Sequence, residues 1–390
     1  MQSFENALLG RMQGLLGVPD KLVALHEPEF GAEEHALVKD TLDSTFVSSV
    51  GKYVDQFESE LALFTGARYA VAVANGTAAL QVALKLAGVQ AGDEVLLPSL
   101  TFVASANAVT HAGAVPHFVD SEVCTLGVDA LALGEHLASV AELTSQGLRN
   151  KATGRRIAAM VPMHAYGHPV DLAGLMDVAG RYGIPIVEDA AESLGSYYQG
   201  RHTGTFGKLG TLSFNGNKII TTGGGGAIIT DDAEVARHAK HLTTTAKVAH
   251  RWEFFHDEVA WNFRLPNLNA ALGVAQLHRL PQFLEEKRRL AAAYERVLAG
   301  LDGVAFAHEP EGTRSNYWLA TMRLLTPDLA QRDRLLATLN DAKFQSRPTW
   351  TLLHKLPMYA ACPRASLQVA EALEASLINL PSSPKLARTL

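Results

Sequence analysis

Tyr69-Ala-Val-Ala-Val-Ala74 is an unbroken apolar run, and through Asn75-Gly76 it passes directly into Thr77 to Leu86, where apolar residues recur at helical spacing. A run too uniform to alternate reads as a strand buried on both faces, and the 3.6-residue period after it reads as a helix. The same grammar continues downstream. Glu94-Val-Leu-Leu-Pro98 reads as a strand before a helical stretch from Val103 to Ala112. Val115 to Asp120 and Ile157 to Pro162 read as further strands. Leu172 to Tyr182 reads as a helix closed by Gly183, and Ile184 to Asp189 and Gly226 to Thr230 read as strands. Strands apolar on both faces and alternating with helices predict an α/β unit, its mainly parallel sheet covered on both sides. Ligands of such sheets bind where loops leave the carboxyl ends of the strands, so chemistry is expected in strand-end residues.

Beyond about residue 265 the texture changes. Pro281 to Leu301 reads as a long charged helix with Glu285, Glu286, Lys287, Arg288 and Arg289 on its wet side. Strand-like Tyr317 to Leu325, helical Asp328 to Asn340 and helical Val369 to Leu380 suggest a smaller α+β unit. The expected division is an N-terminal helical segment over 1–29, a large domain over 30–265 and a small C-terminal domain over 266–390.

Composition narrows the function. A chain of 390 residues with 47% hydrophobic and 19% charged residues has the means for a large core and is not disordered. With 34 basic against 40 acidic residues and no Lys/Arg cluster, a nucleic-acid partner is not expected. Met1-Gln2-Ser3-Phe4-Glu5-Asn6 lacks the charged and apolar regions of a secretory signal, and no apolar stretch approaches the ~20 residues that span a bilayer. Cys124 and Cys362 alone build neither a disulfide framework nor a zinc site. A cytoplasmic protein without a membrane partner is the expectation.

Three fragments carry chemistry. Asn75-Gly76-Thr77 stands at a strand-to-helix junction, where backbone N–H groups and a glycine make a phosphate cradle; a plain helix cap is the alternative. Asp189 ends an apolar strand beside Glu188 and could cap the next helix or face a cofactor; no His/Cys/Asp set at ligand spacing supports a metal. Lys218, in Ser213-Phe214-Asn215-Gly216-Asn217-Lys218 before Ile219-Ile220-Thr221-Thr222 and four glycines, has small and apolar flanks. Burial favours the neutral amine, which is how a lysine attacks carbonyls. Phosphate cradle, strand-end carboxylate and lysine, in that order on a parallel sheet, are the requirements of pyridoxal phosphate, with the lysine as Schiff-base former and the carboxylate on the pyridine nitrogen.

Val187-Glu-Asp-Ala-Ala-Glu-Ser-Leu-Gly195, Ser213 to Lys218 with its Thr-Thr-Gly-Gly-Gly-Gly tail, and Asn262-Phe-Arg-Leu-Pro-Asn-Leu-Asn-Ala-Ala271 resemble the DegT/DnrJ/StrS family of sugar-nucleotide aminotransferases, from about Phe30 to Pro384. The resemblance implies the aspartate aminotransferase-like fold, type I among pyridoxal phosphate-dependent transferases. It implies that Lys218 bonds the cofactor and shuttles the proton, Asp189 pairs with the pyridine nitrogen, Gly76, Thr77 and Ser213 hold the phosphate, and Phe102 stacks on the ring. It also implies that Asn262 reaches the phosphate of a neighbouring subunit's cofactor, which requires a homodimer with an intersubunit active site. Glu192 stands where many members carry Gln or His toward the cofactor's 3-oxygen, and a carboxylate there would repel a phenolate unless protonated or bridged by water.

Ser48-Ser-Val-Gly-Lys-Tyr-Val54, Phe214 to Ala227, Ser315-Asn-Tyr-Trp-Leu319 and Arg347-Pro-Thr-Trp350 are similar to the LegC-type branch, which acts in legionaminic acid synthesis. That implies a nucleotide-linked 4-keto-6-deoxy-N-acetylglucosamine, most often UDP-linked, as acceptor and L-glutamate as donor. Other keto-sugar aminotransferases, of the GDP-perosamine or dTDP-amino-sugar kind, are the alternative, as is a non-catalytic binding or regulatory protein. Sugar 3-dehydratases of the family replace the lysine with histidine, and Lys218 argues against them. An amino-acid aminotransferase would need an arginine clamp, for which Arg347 could be mistaken. Remaining candidates have a packing alternative. His164 and Tyr166 line the sugar pocket or pack a loop; Tyr317, Trp318, Arg347, Trp350 and His354 contact base, sugar or pyrophosphate or belong to the core. Lys52 and Tyr53 stand near the mouth, while Lys247 and His250 read as solvated.

Overall fold

The structure, a computed structural model, describes residues 4–390. Its centre is a seven-strand sheet in the order Tyr69–Val73, Gly226–Thr230, Leu209–Ser213, Val187–Asp189, Ile157–Met160, Glu94–Pro98, Val115–Val119. Parallel bridges Met160 to Ile186 and Met163 to Asp189 join its two halves. All neighbours run parallel except Gly226–Thr230, antiparallel to both its partners. The reason is the connection: residues 214–225 hold no helix, and a parallel return needs a crossover.

The strand Leu209–Ser213 escaped the sequence pattern, because Gly210 and Thr211 interrupt an apolar run that is already short. The helix Gly76–Leu86 starts one residue before the periodicity does. Asn75 Oδ1 accepts from the Ala78 N–H at 2.8 Å, and Ala79, Leu80, Val82 and Ala83 bury its inner face. Helix Leu172–Tyr182 is capped by Asp171 and ends on left-handed Gly183, as read.

Two expectations are corrected. The long helix runs Asn267–Leu298, with Pro281 inside it rather than at its start. The proline reads as a helix opener, yet both halves of this 32-residue helix are clamped by packing. Ala271, Val274, Leu280 and Phe283 enter the main core, while Leu290, Tyr294 and Leu298 enter a second core with Leu8, Met12, Phe306 and Phe344. Consequently its charged stretch is not one wet face: Glu285 and Arg289 are exposed, but Glu286 and Lys287 are buried. The C-terminal segment covers them, with Arg388 Nε 2.7 Å from Glu286 and Lys287 Nζ donating to the Ser382 and Trp318 carbonyls at 2.6 and 2.9 Å.

The second correction concerns Val369 to Leu380, which is half helix (Gln368–Glu374) and half strand (Leu377–Leu380). That strand pairs antiparallel with Ala320–Leu324 and Arg347–Pro348 in a four-strand sheet completed by Val304–Phe306. Strand formation here is a tertiary effect, since Leu377-Ile-Asn-Leu380 has no partner of its own nearby in sequence.

Candidate active site

Three strand ends converge. Ser213 ends one strand, Asp189 ends its parallel neighbour, and Gly76 follows the strand Tyr69–Val73. A cavity of about 290 Å³ opens there, bounded by these residues with Thr77, Phe102, Glu192 and Lys218. The floor needs its glycines. A Cβ on Gly76 would lie 2.9 Å from Ser213 Cβ, and one on Gly226 would lie 2.5 Å from the Asn75 carbonyl carbon. The first N–H groups of a helix have no intrahelical acceptor; Asn75 takes that of Ala78, so those of Gly76 and Thr77 are left for an anion.

Asp189 and Glu188 divide by strand alternation. Asp189 faces the cavity, accepting from Ser105 Oγ at 2.7 Å and from the Ala191 N–H at 3.2 Å. Glu188 points the other way into the protein, accepting three backbone N–H groups of 204–207 at 2.7 Å each and lying 3.2 Å from His164 Nε2. Burial pushes its carboxyl up, but His164 and these N–H groups outweigh that and hold it below the usual range. Among the described residues no group of three His, Cys, Asp or Glu is placed to hold a metal.

Lys218 is not in the apolar setting its flanks suggest. Its Nζ lies 3.2 Å from Glu192 Oε1 and 4.0 Å from the centre of the Trp318 ring, with the side chain 12% exposed. Flanking residues mislead here because the partners come from positions 26 and 100 residues away. Glu192 Oε2 accepts from the Tyr166 N–H at 2.9 Å, aimed by a left-handed Tyr166 backbone (φ 55°) that costs about 1–2 kcal/mol. Burial pushes the Glu192 carboxyl up to about 7, against the downward pull of Lys218 and this N–H.

Phe102 stands half-exposed at the mouth, 49% accessible, where a flat ring can slide beneath it. Met163, Trp318 and Trp350 also line the cavity. Trp350 stacks on Tyr166 with ring centres 4.9 Å apart, and Trp318 Nε1 donates to the Asn217 carbonyl at 2.7 Å. The two tryptophans, which sequence alone left between core and site, therefore serve both.

Other candidates do not reach this cavity. His164 is fully buried against Glu188, with Nδ1 accepting from the Val170 N–H. Tyr317 packs in the second core, its hydroxyl accepting from the Glu309 N–H. His354 Nδ1 is 2.8 Å from Ser99 Oγ, behind the cavity wall. Tyr53 is buried and Lys52 exposed, both on Asp40. Arg347 and Asn262 are exposed and outside the lining. Lys247 and His250 are exposed, as read. Ser105 is the residue that sequence reading missed. Its place three residues beyond Phe102 on the Val103–His111 helix is the only local signal, and nothing there marks a partner 84 residues away.

The chain matches the DegT/DnrJ/EryC1/StrS aminotransferase family over residues 28–389. It is 35% identical over 367 residues to the GDP-perosamine synthase of Escherichia coli O157:H7, covering 94% of this chain and 95% of that one. It is 33% identical over 364 residues to the dTDP-3-amino-3,4,6-trideoxy-alpha-D-glucose transaminase of Streptomyces venezuelae, covering 92% and 89%. Among solved structures, the aminotransferase TlmJ from Streptoalloteichus hindustanus superposes with a TM-score of 0.82 at 31% identity, covering 92% and 93%.

Proposed function

The chain belongs to the DegT/DnrJ/EryC1/StrS aminotransferase family and is a pyridoxal phosphate-dependent sugar-nucleotide aminotransferase, and from that premise we propose that it moves an amino group from L-glutamate to the C4 keto carbon of a nucleotide-linked 4-keto-6-deoxy sugar. The observation that carries the reading is the strand-end constellation of Lys218, Glu192 and Asp189 beside a wall of Trp318, Trp350 and Met163. An apolar, aromatic wall suits the deoxy face of a sugar ring better than a small amino acid.

The residues fit the cofactor. The free N–H groups of Gly76 and Thr77, with the Ser213 hydroxyl, would hold its phosphate, and no side chain fills that cradle. Asp189, pinned by Ser105 and the Ala191 N–H, would keep a proton on the ring nitrogen. Phe102 would cover the ring and exclude water from one face. Once bound, pyridoxal phosphate supplies the electron sink for amino transfer. Lys218 Nζ would bond it and carry the proton between reacting carbons, with Glu192 beside it.

Asn262 would serve the site of a second copy, making a homodimer functionally necessary. Support comes from the same stretch of chain, which leaves Trp252, Phe254, Phe255 and Val259 between 60% and 88% exposed. The exposed Lys52 and Arg347 would then meet the nucleotide from outside the single-chain cavity, while Tyr53, buried on Asp40, would only hold Asp40 beside Lys52. A cytoplasmic location accords with two unpaired cysteines, and no described helix is long and apolar enough to cross a membrane.

A UDP-linked N-acetylated sugar is the first choice of acceptor, on the motif resemblance; a GDP-linked sugar is the second, favoured by the GDP-perosamine synthase relative. The deciding measurement is the absorbance of the purified protein before and after L-glutamate. The yellow cofactor band should bleach with glutamate and return with a UDP- or GDP-linked 4-keto sugar, and Lys218→Ala should abolish both while staying folded. No band after adding pyridoxal phosphate would leave a binding or regulatory protein as the better reading.

A further inference from the structure

A lysine nitrogen attacks a carbonyl only with its lone pair free, so the ammonium must first lose a proton to something. Around Lys218 the candidates are few. Trp318 offers a ring face that favours the cation, not the amine. Asp189 has its two oxygens engaged by Ser105 and the Ala191 N–H. His26, in the N-terminal segment, has both ring nitrogens buried and unpartnered, but burial, with the charges of Lys287 and Lys218, holds the imidazole well below its ordinary range. Among the described residues, Glu192 Oε1 is the one acceptor already in contact, at 3.2 Å.

We propose that Glu192 is the general base that frees Lys218. The N–H bond of the ammonium breaks and an O–H bond forms on Glu192, so an ion pair becomes a neutral amine and a neutral acid with no third reactant. The environment suits both forms. While Lys218 is charged, Glu192 has a cation and the Tyr166 N–H as partners. Once the amine is neutral, a bare carboxylate, 3% exposed and near Asp189, would be a buried unpaired charge, so the proton stays on it. The other titratable neighbour, the Tyr166 phenol, is bound to Thr349 and raised by burial, which keeps it out of the exchange. A glutamine at this position can donate toward a cofactor oxygen but cannot take up a proton, whereas a carboxylate both pairs with the lysine cation and takes its proton. The assignment rests on the pyridoxal phosphate reading of Lys218 but not on which sugar is used.

The test is the rate at which apoprotein captures pyridoxal phosphate, read by absorbance across pH, with pyridoxamine phosphate affinity as the control, since that compound forms no bond to lysine. Glu192→Gln should slow capture at least about tenfold at pH 7, recover toward wild type as the pH is raised and solvent hydroxide takes over as base, and leave pyridoxamine phosphate affinity no weaker than in wild type. Glu192→Asp, keeping the carboxylate, should recover part of the rate at pH 7. Capture by Glu192→Gln at the wild-type rate overturns the proposal. So does a parallel fall in pyridoxamine phosphate affinity, which would make Glu192 a cofactor-binding residue and no more. Capture that proceeds as expected while every keto sugar fails would overturn the substrate reading alone.

Discussion

Ser105 shows how much one small side chain carries. Its hydroxyl spans from the Val103–His111 helix to Asp189, and Thr101 Oγ1, 2.9 Å away, holds it in turn. Ser105→Ala keeps the volume but strips a buried carboxylate of a hydrogen bond, at about 1.5–3 kcal/mol for a bond to a charged group. A loss of that order in urea unfolding is expected, with kcat falling about tenfold or more on the proposal that Asp189 pairs with the cofactor nitrogen. Unchanged kcat would mean that Asp189 is positioned by the backbone alone. Asp189 and Gly76 were legible as candidates because each sits at the junction of an apolar run with the segment after it, and Lys218 because of its small, apolar and glycine-rich flanks. Ser105, Trp318 and the pairing of Lys218 with Glu192 were not, because their partners are brought by packing from distant chain.

Among elements, the junction of the strands Tyr69–Val73 and Gly226–Thr230 with the helix Gly76–Leu86 leaves no room for a side chain. Gly226 pairs with Val73 and abuts the Asn75 carbonyl so closely that a methyl group has no room. Gly226→Ala should cost about 1–3 kcal/mol by overpacking and, by shifting Asn75 and Gly76, weaken pyridoxamine phosphate binding more than it weakens the fold; calorimetry and denaturation measured together separate the two. The run Gly223 to Gly226 is therefore not a linker: its last glycine opens this strand and is the place where two backbones meet. Strand identity at 226–230 could be read from its apolar run, but its antiparallel direction could not, because direction depends on whether the connection crosses the sheet.

At the scale of the molecule, the Asn267–Leu298 helix ties the two cores together, and Lys287 sits at the tie. Burial holds its amine well below the usual lysine range, and its partners are carbonyls of Trp318 and Ser382 rather than a carboxylate. The unfolded chain therefore binds the proton over a window running down from pH ~10.5, and within that window the folded state becomes more stable as pH rises. Urea unfolding of the apoprotein at pH 7 and 9.5 should show this gain in wild type and a flatter profile in Lys287→Met; identical profiles would mean that the amine is charged and solvated. Asn262→Ala probes the larger assembly. It should weaken pyridoxamine phosphate affinity several-fold while leaving the monomer's unfolding unchanged, since Asn262 is exposed in the single chain; unaltered affinity would remove it from a neighbour's site.

The α/β alternation, most of the strands and helices, and the candidacy of Gly76, Asp189 and Lys218 could be read along the chain, because strand burial, helix period and junction residues are local properties. The reversed strand at 226–230, the strand at 377–380, the burial of Glu286 and Lys287, and the meeting of Glu192 with Lys218 came from packing. Each of these depends on what covers a segment from elsewhere in the chain, and a buried charge or an edge strand is stable only in the presence of that cover.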